Sequence, residues 1–211
     1  MLLVSQNPSP NTLTPYYIAG VDEAGRGPCA GPVVAAALIL PNGVEKYSWA
    51  EQIKDSKKLT AQKRDYLFSH LTEHCVSAVA ECSVEEIDQL NILWATMLAM
   101  KRAVESLATA PQKILVDGNR LPDVKIAGEA VVGGDDKYLC IAAASIIAKV
   151  TRDRIMQKLA VEFPHYGWGD NSGYATKTHL TAMDRYGITT HHRKSYAPVA
   201  KTLEKHQKMA A

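Results

Sequence analysis

Two periods of apolar placement run through this chain, and the switches between them mark out its elements. Tyr16 to Val21 and Val33 to Leu40 are short runs rich in β-branched, aromatic and small apolar residues, and they predict two strands. The second carries no polar position and is expected to be buried on both faces. Pro41 to Trp49 reads as turn and loop. Thr60 is a suitable N-cap for a helix running to about Glu73, with Tyr66, Leu67 and Leu71 on its inner side. Cys75 to Cys82 alternates like a strand and would complete a three-stranded antiparallel start.

Ser83 and Glu86 form a capping box that opens a second helical stretch. Leu93, Met97, Met100, Val104 and Leu107 then recur at helical spacing, predicting an apolar stripe against a sheet. Lys113 to Asp117 and Val124 to Gly133 predict two further strands, followed by a long helix from about Leu139 to Val161. Its small-residue face (Ala142, Ala143, Ala144, Ser145, Ala148) suits close packing on the sheet. Phe163 to Gly173 reads as a loop and Thr178 to Tyr186 as a short helix. The whole predicts an α/β chain: a mixed five-stranded sheet flanked by helices, with a small C-terminal helical extension.

Composition narrows the class. A chain of 211 residues is long enough for one substantial core, and 46% hydrophobic with 22% charged residues excludes a disordered protein. No apolar run approaches the length of a bilayer span. The start, MLLVSQNPSPNTLTP, has neither the basic opening nor the apolar segment of a secretory signal, and its polar and proline content predicts a flexible tail over residues 1–15. Cys29, Cys75, Cys82 and Cys140 are scattered, with no paired spacing and no histidine at finger-like spacing, so they read as buried thiols in a reducing cytoplasm rather than a zinc site. Net charge is +2, but Arg193 to Ala211 holds a balance of +4 against −2 for the rest, which suits a phosphate-tracking surface or a solvated face. No large apolar stripe is left over for a partner, so a monomer is expected.

The chemistry concentrates between the first two strands, where Asp22, Glu23, Gly25, Arg26, Gly27 and Gly31 separate two apolar runs. Two acids at the end of a buried strand require a compensating positive charge, and a hard divalent cation is the usual one. Glycines let backbone amides approach a ligand, and Arg26 can fork onto phosphate or hydroxyl oxygens. Side chains alternate along a strand, so Asp22 and Glu23 reach one ion together only if the strand ends there, or one of them acts indirectly. Asp117 closes a short strand immediately before Gly118 and Asn119, a position that is either a ligand site or a simple turn former. Asp135 and Asp136 precede the long helix, where an acid is either a further site residue or an N-cap. A cluster of carboxylates with no Cys or His favours Mg²⁺ or Mn²⁺ over zinc.

Six segments, DEAGRGP at Asp22 to Pro28, DSKKL at Asp55, NILWATMLAM at Asn91, DGN at Asp117, GDDKYLCIAAASIIAKVTRD at Gly134 and HRKSYAPV at His192, follow one another in an order that closely resembles bacterial ribonuclease HII, the type 2 ribonuclease H family. The resemblance covers nearly everything after the first fifteen residues. It implies a ribonuclease H-like fold, with a catalytic domain over residues 16–163 and an extension over 164–211 that completes the substrate groove. It implies an endoribonuclease that cuts the RNA strand of RNA–DNA hybrids and incises 5′ of single ribonucleotides in duplex DNA, by two-metal-ion hydrolysis with Mg²⁺ or Mn²⁺. Asp22, Glu23, Asp117 and Asp135 are the implied catalytic, metal-holding acids. Gly25, Arg26, Gly27, Tyr174, Lys57, Ser145, Lys149 and Arg193 are the implied substrate contacts. The chain departs from the family pattern before Tyr174, with Asn171 and Ser172 where relatives carry His-Lys. Two other readings are a non-catalytic hybrid-binding module and a nucleotide-dependent transferase. The second is disfavoured because the glycine loop joins two strands and lacks the Gly-Lys-Ser/Thr ending of a phosphate loop.

Overall fold

The computed structural model describes residues 2–3 and 16–210. Five strands, β1 (Ile18–Ala24), β2 (Val33–Ile39), β3 (Val76–Cys82), β4 (Lys113–Asp117) and β5 (Ala127–Val131), form one sheet in the order β3-β2-β1-β4-β5. β2 runs antiparallel to both β1 and β3, whereas β4 and β5 run parallel to β1, so the sheet is mixed, as expected. The helices are α1 (Ala61–His74), α2 (Val84–Glu105), α3 (Leu139–Glu162), α4 (Trp168–Asn171), α5 (Lys177–Tyr186) and α6 (Ala197–Ala210).

All seven residues of β2 are buried, because each face of the sheet carries its own helical layer. Val33, Ala35, Ala37 and Ile39 meet Ala95, Ala99, Ala103 and Val104 of α2 on one face. Ala36 and Leu38 meet α1 and α3 on the other. The approach of α3 is close because β1 carries Gly20, where a Cβ would lie 2.2 Å from the Cys140 carbonyl carbon. Thr60 caps α1, accepting from the Lys63 amide at 3.2 Å, and Ser83 and Glu86 make the expected reciprocal box at the start of α2.

Several expectations shift. The first strand starts at Ile18 and runs through both acids to Ala24, since β2 supplies backbone partners for Asp22, Glu23 and Ala24. Tyr66 lies on the outer side of α1, 43% exposed, while Leu67 and Leu71 turn inward. In α2 the buried face holds Ala95, Thr96, Ala99 and Ala103 together with Met100 and Val104 of the expected stripe, and Leu107 just beyond the helix is buried too, whereas Leu93 and Met97 are only half-buried. A break at Asn91 (φ 65°) interrupts α2 just before this face, and its side chain accepts from the Leu93 and Trp94 amides where the helix resumes. The loop after α3 contains a 3-10 turn at Pro164–Tyr166 and the short α4. Within the expected tail, Leu2 and Leu3 are described and are held down: Leu3 donates to the Lys137 carbonyl at 2.7 Å and accepts from the Leu139 amide at 3.1 Å. Residues 4–15 of that tail lie outside the described residues. No described helix is long and apolar enough to cross a membrane.

Candidate active site

β1 and β4 are parallel neighbours with Val21 opposite Val116, so Asp22 and Asp117 are the next residues on adjacent strands at the carboxyl end of both. β4 ends at Asp117, which leaves the β4 side of β1 unpaired beyond Val21. Asp22 and Glu23 therefore both line one groove of about 560 Å³, although β1 keeps its pairing with β2. Asp117 Oδ1 accepts from the Gly134 amide at 2.7 Å, and this fixes the turn that carries Asp135. Asp135 is buried, whereas Asp136 is mostly exposed and pairs with Lys58, so the turn itself distinguishes the two acids.

Burial and mutual repulsion make these acids costly to ionise. Burial, then the charges of Glu23, Asp117 and Asp135, hold Asp22 well above the usual carboxylate range, and the Glu23 amide at 2.7 Å offsets this only in part. Burial also raises Glu23 despite Arg26 at 3.6 Å, and raises Asp135 with added repulsion from Asp117 and Asp55. No three of these carboxylates bring oxygens within 4.8 Å of one another. Lys57 is the near cation besides Arg26. Burial would lower its ammonium, but Asp55, Asp135, Asp22 and Asp117 together raise it. Asp55 holds the Lys57 segment in place by accepting from the Lys57 amide at 3.0 Å. An all-oxygen donor set with unbalanced negative charge fits hard divalent cations.

The loop over residues 25–32 forms the wall beside the acids. Gly25 has φ +99° and a Cβ there would lie 2.0 Å from Arg152 Nε, so only glycine fits. Two buried arginines hold the loop from below. Arg152 donates to the carbonyls of Pro32, Ser172 and Ala30 at 3.0–3.1 Å. Arg193 donates to those of Gly25, Arg26, Pro28, Gly31 and Pro32 at 2.6–3.2 Å. Arg193 is fully buried with its guanidinium consumed by carbonyls, so its expected contact with substrate is corrected: it shapes the loop instead. Ser145 is likewise buried, donating to the Ala142 carbonyl at 2.8 Å and accepting from the Ser56 amide at 3.3 Å, so it fastens the Lys57 segment to α3 rather than reaching the groove. Gly25, Arg26, Gly27, Lys57, Lys149 and Tyr174, the other expected substrate contacts, all line the groove. None of the α6 lysines does.

Tyr174 is 52% exposed and stands over Gly27, where a Cβ would come within 3.1 Å of its ring. Its carbonyl is held at 2.9 Å by His179 Nδ1. His179 Nε2 then faces Trp168 Nε1 at 3.0 Å and His192 Nε2 at 3.1 Å, while His192 Nδ1 accepts from the Thr189 amide at 2.9 Å. One tautomer of each ring satisfies the whole chain: Nδ1–H on His179 and Nε2–H on His192. Burial lowers His179, and burial with the neighbouring His179 pushes His192 down to about 3, so both rings are neutral. Asn171 and Ser172 are used locally: Asn171 accepts from the Gly173 amide and donates to the Tyr166 carbonyl, and Ser172 faces Asp153.

The sequence missed Arg152, Asp55, His179 and His192 as supports of this site. A signal was present for the arginines, since a loop rich in glycine and proline exposes many carbonyls and offers few donors, and these must come from elsewhere.

Comparison with known proteins gives concordant results. The family model described as "Ribonuclease HII" matches residues 19–199. The chain is 52% identical over 189 residues to the ribonuclease HII of Sphingopyxis alaskensis, covering 90% of this chain and 93% of that protein. It is 51% identical over 191 residues to that of a Polaromonas species, covering 90% and 94%. Among solved structures, the ribonuclease H2 of Pyrococcus horikoshii superposes with a TM-score of 0.76 at 32% identity, covering 91% of this chain and 99% of that one. A ribonuclease HII of Archaeoglobus fulgidus, solved in complex with PCNA, gives 0.72 at 28% identity, covering 85% and 95%.

Proposed function

Because this chain belongs to the ribonuclease HII family and is thus an endoribonuclease acting on RNA–DNA hybrids, we propose that it also incises duplex DNA 5′ of a single embedded ribonucleotide. Asp22, Glu23, Asp117 and Asp135 would hold two divalent ions, Mg²⁺ or Mn²⁺. Such ions, when bound, supply activation of the attacking water and stabilisation of the leaving oxygen. The remaining tasks fall to the chain's own groups. The backbone of Gly25, Arg26 and Gly27, with the Tyr174 ring over Gly27, reads the ribose through its 2′-hydroxyl, the group that separates RNA from DNA. Lys57 and Lys149 hold backbone phosphates, which position the duplex without specifying sequence. Water adds to phosphorus and the bond from phosphorus to the upstream 3′ oxygen breaks, leaving a 3′-hydroxyl and a 5′-phosphate.

The observation that carries this reading is the set of buried, mutually repelling acids beside a glycine loop that two buried arginines fix in shape. The experiment is incubation with DNA duplexes bearing one ribonucleotide, with Mg²⁺, with Mn²⁺ and with chelator. A single nick 5′ of the ribonucleotide in the metal-containing reactions only is the expected result. Cleavage of long hybrids without any nick at the single site would refute the proposed recognition.

A further inference from the structure

α1 begins beside the Lys57 segment and carries at its other end a cluster that the acids of the groove do not touch. His70, Glu73 and His74 stand at i, i+3 and i+4, which places them on one helical face. His70 lies about 14 Å along the axis from Ala61, at 1.5 Å per residue. Among the described residues this is the one trio of His, Cys, Asp or Glu whose candidate ligand atoms all lie within 4.8 Å of one another. We propose that His70, Glu73 and His74 form a site for one divalent transition-metal ion of the zinc class, separate from the carboxylate groove.

Three further observations support it. Both imidazoles are held by aromatic rings: Trp49 stacks on His70 (centroids 6.0 Å, 5° between planes) and on His74 (5.9 Å, 6°), and Tyr47, itself beside Trp49, stacks against His74 at 5.3 Å. Rings held in this way lose little freedom when they take up an ion. Among the described residues, only two buried side-chain nitrogen or oxygen atoms have no hydrogen-bond partner, His70 Nδ1 and Trp49 Nε1, and both belong to this cluster. Buried polar atoms are otherwise almost always paired; of these two, the His70 nitrogen has a lone pair that an ion can engage, whereas the Trp49 indole N–H is a donor only and serves to pack the rings. Glu73 is the exposed member, at 70%, with Oε2 already 3.9 Å from His74 Nε2.

The donor chemistry sets the ion class. Two imidazoles and one carboxylate match Zn²⁺, Ni²⁺ or Cu²⁺, with a fourth position open to water, whereas the groove offers oxygen alone and suits Mg²⁺ or Mn²⁺. The scattered cysteines that argue against a zinc finger carry no information about a helical His-x-x-Glu-His.

The test is titration of the full chain with Zn²⁺ by calorimetry in excess Mg²⁺, with Cu²⁺ quenching of tryptophan fluorescence as a second readout. One equivalent of Zn²⁺ is expected to bind at micromolar concentration or tighter, and equally well in an Asp22→Asn, Asp117→Asn double variant. Glu73→Gln, at a solvent-exposed position that leaves the helix intact, should weaken binding at least about tenfold, since loss of even an outer-shell partner costs about 10–100-fold. His70→Gln with His74→Gln should abolish it, and Trp49→Phe should remove most of the Cu²⁺ quenching. No Zn²⁺ binding below millimolar concentration overturns the proposal. So does undiminished binding in the double histidine variant, or binding lost in the groove variant alone.

Discussion

Asp22 shows most clearly how function is set against stability at a single residue. It is 5% exposed, sits among three like charges and is held well above the normal carboxylate range by burial first and by those charges second. Asp22→Asn keeps the acceptor for the Glu23 amide and removes the buried charge. In chelator this variant should be more stable than the parent by about 1–3 kcal/mol, the scale of an uncompensated buried polar group. If the cluster holds metal as proposed, the variant's cleavage should fall at least about a thousandfold, the scale of losing several kcal/mol of transition-state stabilisation. Urea midpoints and single-turnover rates measure the two effects, and a less stable variant would contradict the account of the site's electrostatics. Gly25 belongs to the same scale. Its positive φ and the Arg152 guanidinium behind it leave no room for any side chain, so the glycine follows from geometry alone.

At the scale of elements, α5 and the segment before α6 act on the groove through the two neutral histidines. His179 on α5 holds the Tyr174 carbonyl, and His192 ties that ring to Thr189. The direction of their pH effect follows from their lowered affinity for protons. His192 titrates at about 3 in the folded chain against 6.5 as the ordinary value, so the unfolded chain takes up the proton first as pH falls. The stability contributed by this pair is complete above about pH 6.5 and is lost progressively toward about pH 3. Trp168, Tyr166 and His191 lie about the rings, and the Cys29 thiol, 3.8 Å from His179 Nδ1, is pushed up by burial, so none supplies an anion to reverse the effect. Urea unfolding should therefore show falling stability below about pH 6.5, and His192→Asn should flatten that slope. An unchanged slope in the variant would place the titration elsewhere.

For the whole molecule, duplex binding is expected to depend on the cations that reach the groove rather than on the basic C-terminus. Lys57 and Lys149 line it, while Arg193 is buried and the α6 lysines lie outside it. Affinity should fall with salt through counterion release, with a slope of about −0.9 per phosphate neutralised. Lys57→Ala and Lys149→Ala should each reduce that slope by about 1, whereas Lys201→Ala should leave it unchanged. Binding measured across a salt series decides this, and a slope lost with Lys201 instead would return the contact surface to α6.

How much of this was written in the chain depends on how local each cause is. Strand and helix identity, both N-caps of α1 and α2, and the buried character of β2 were legible because they follow from neighbours in sequence. The acids were legible as candidate chemistry, since carboxylates at strand ends and a glycine loop belong to a recognisable pattern, and the family itself was legible from the same segments. What the residues alone left open were questions of partner and direction: that β1 runs through both acids because β2 extends beside them, that Asn91 breaks α2, and, apart from the resemblance, which of Asp135 and Asp136 turns inward. Arg193 is the sharpest instance. An arginine in a basic segment reads as a phosphate contact, yet five carbonyls brought together from residues 25–32 claim its donors. Only the folded chain brings those carbonyls to it, across more than 160 residues of sequence.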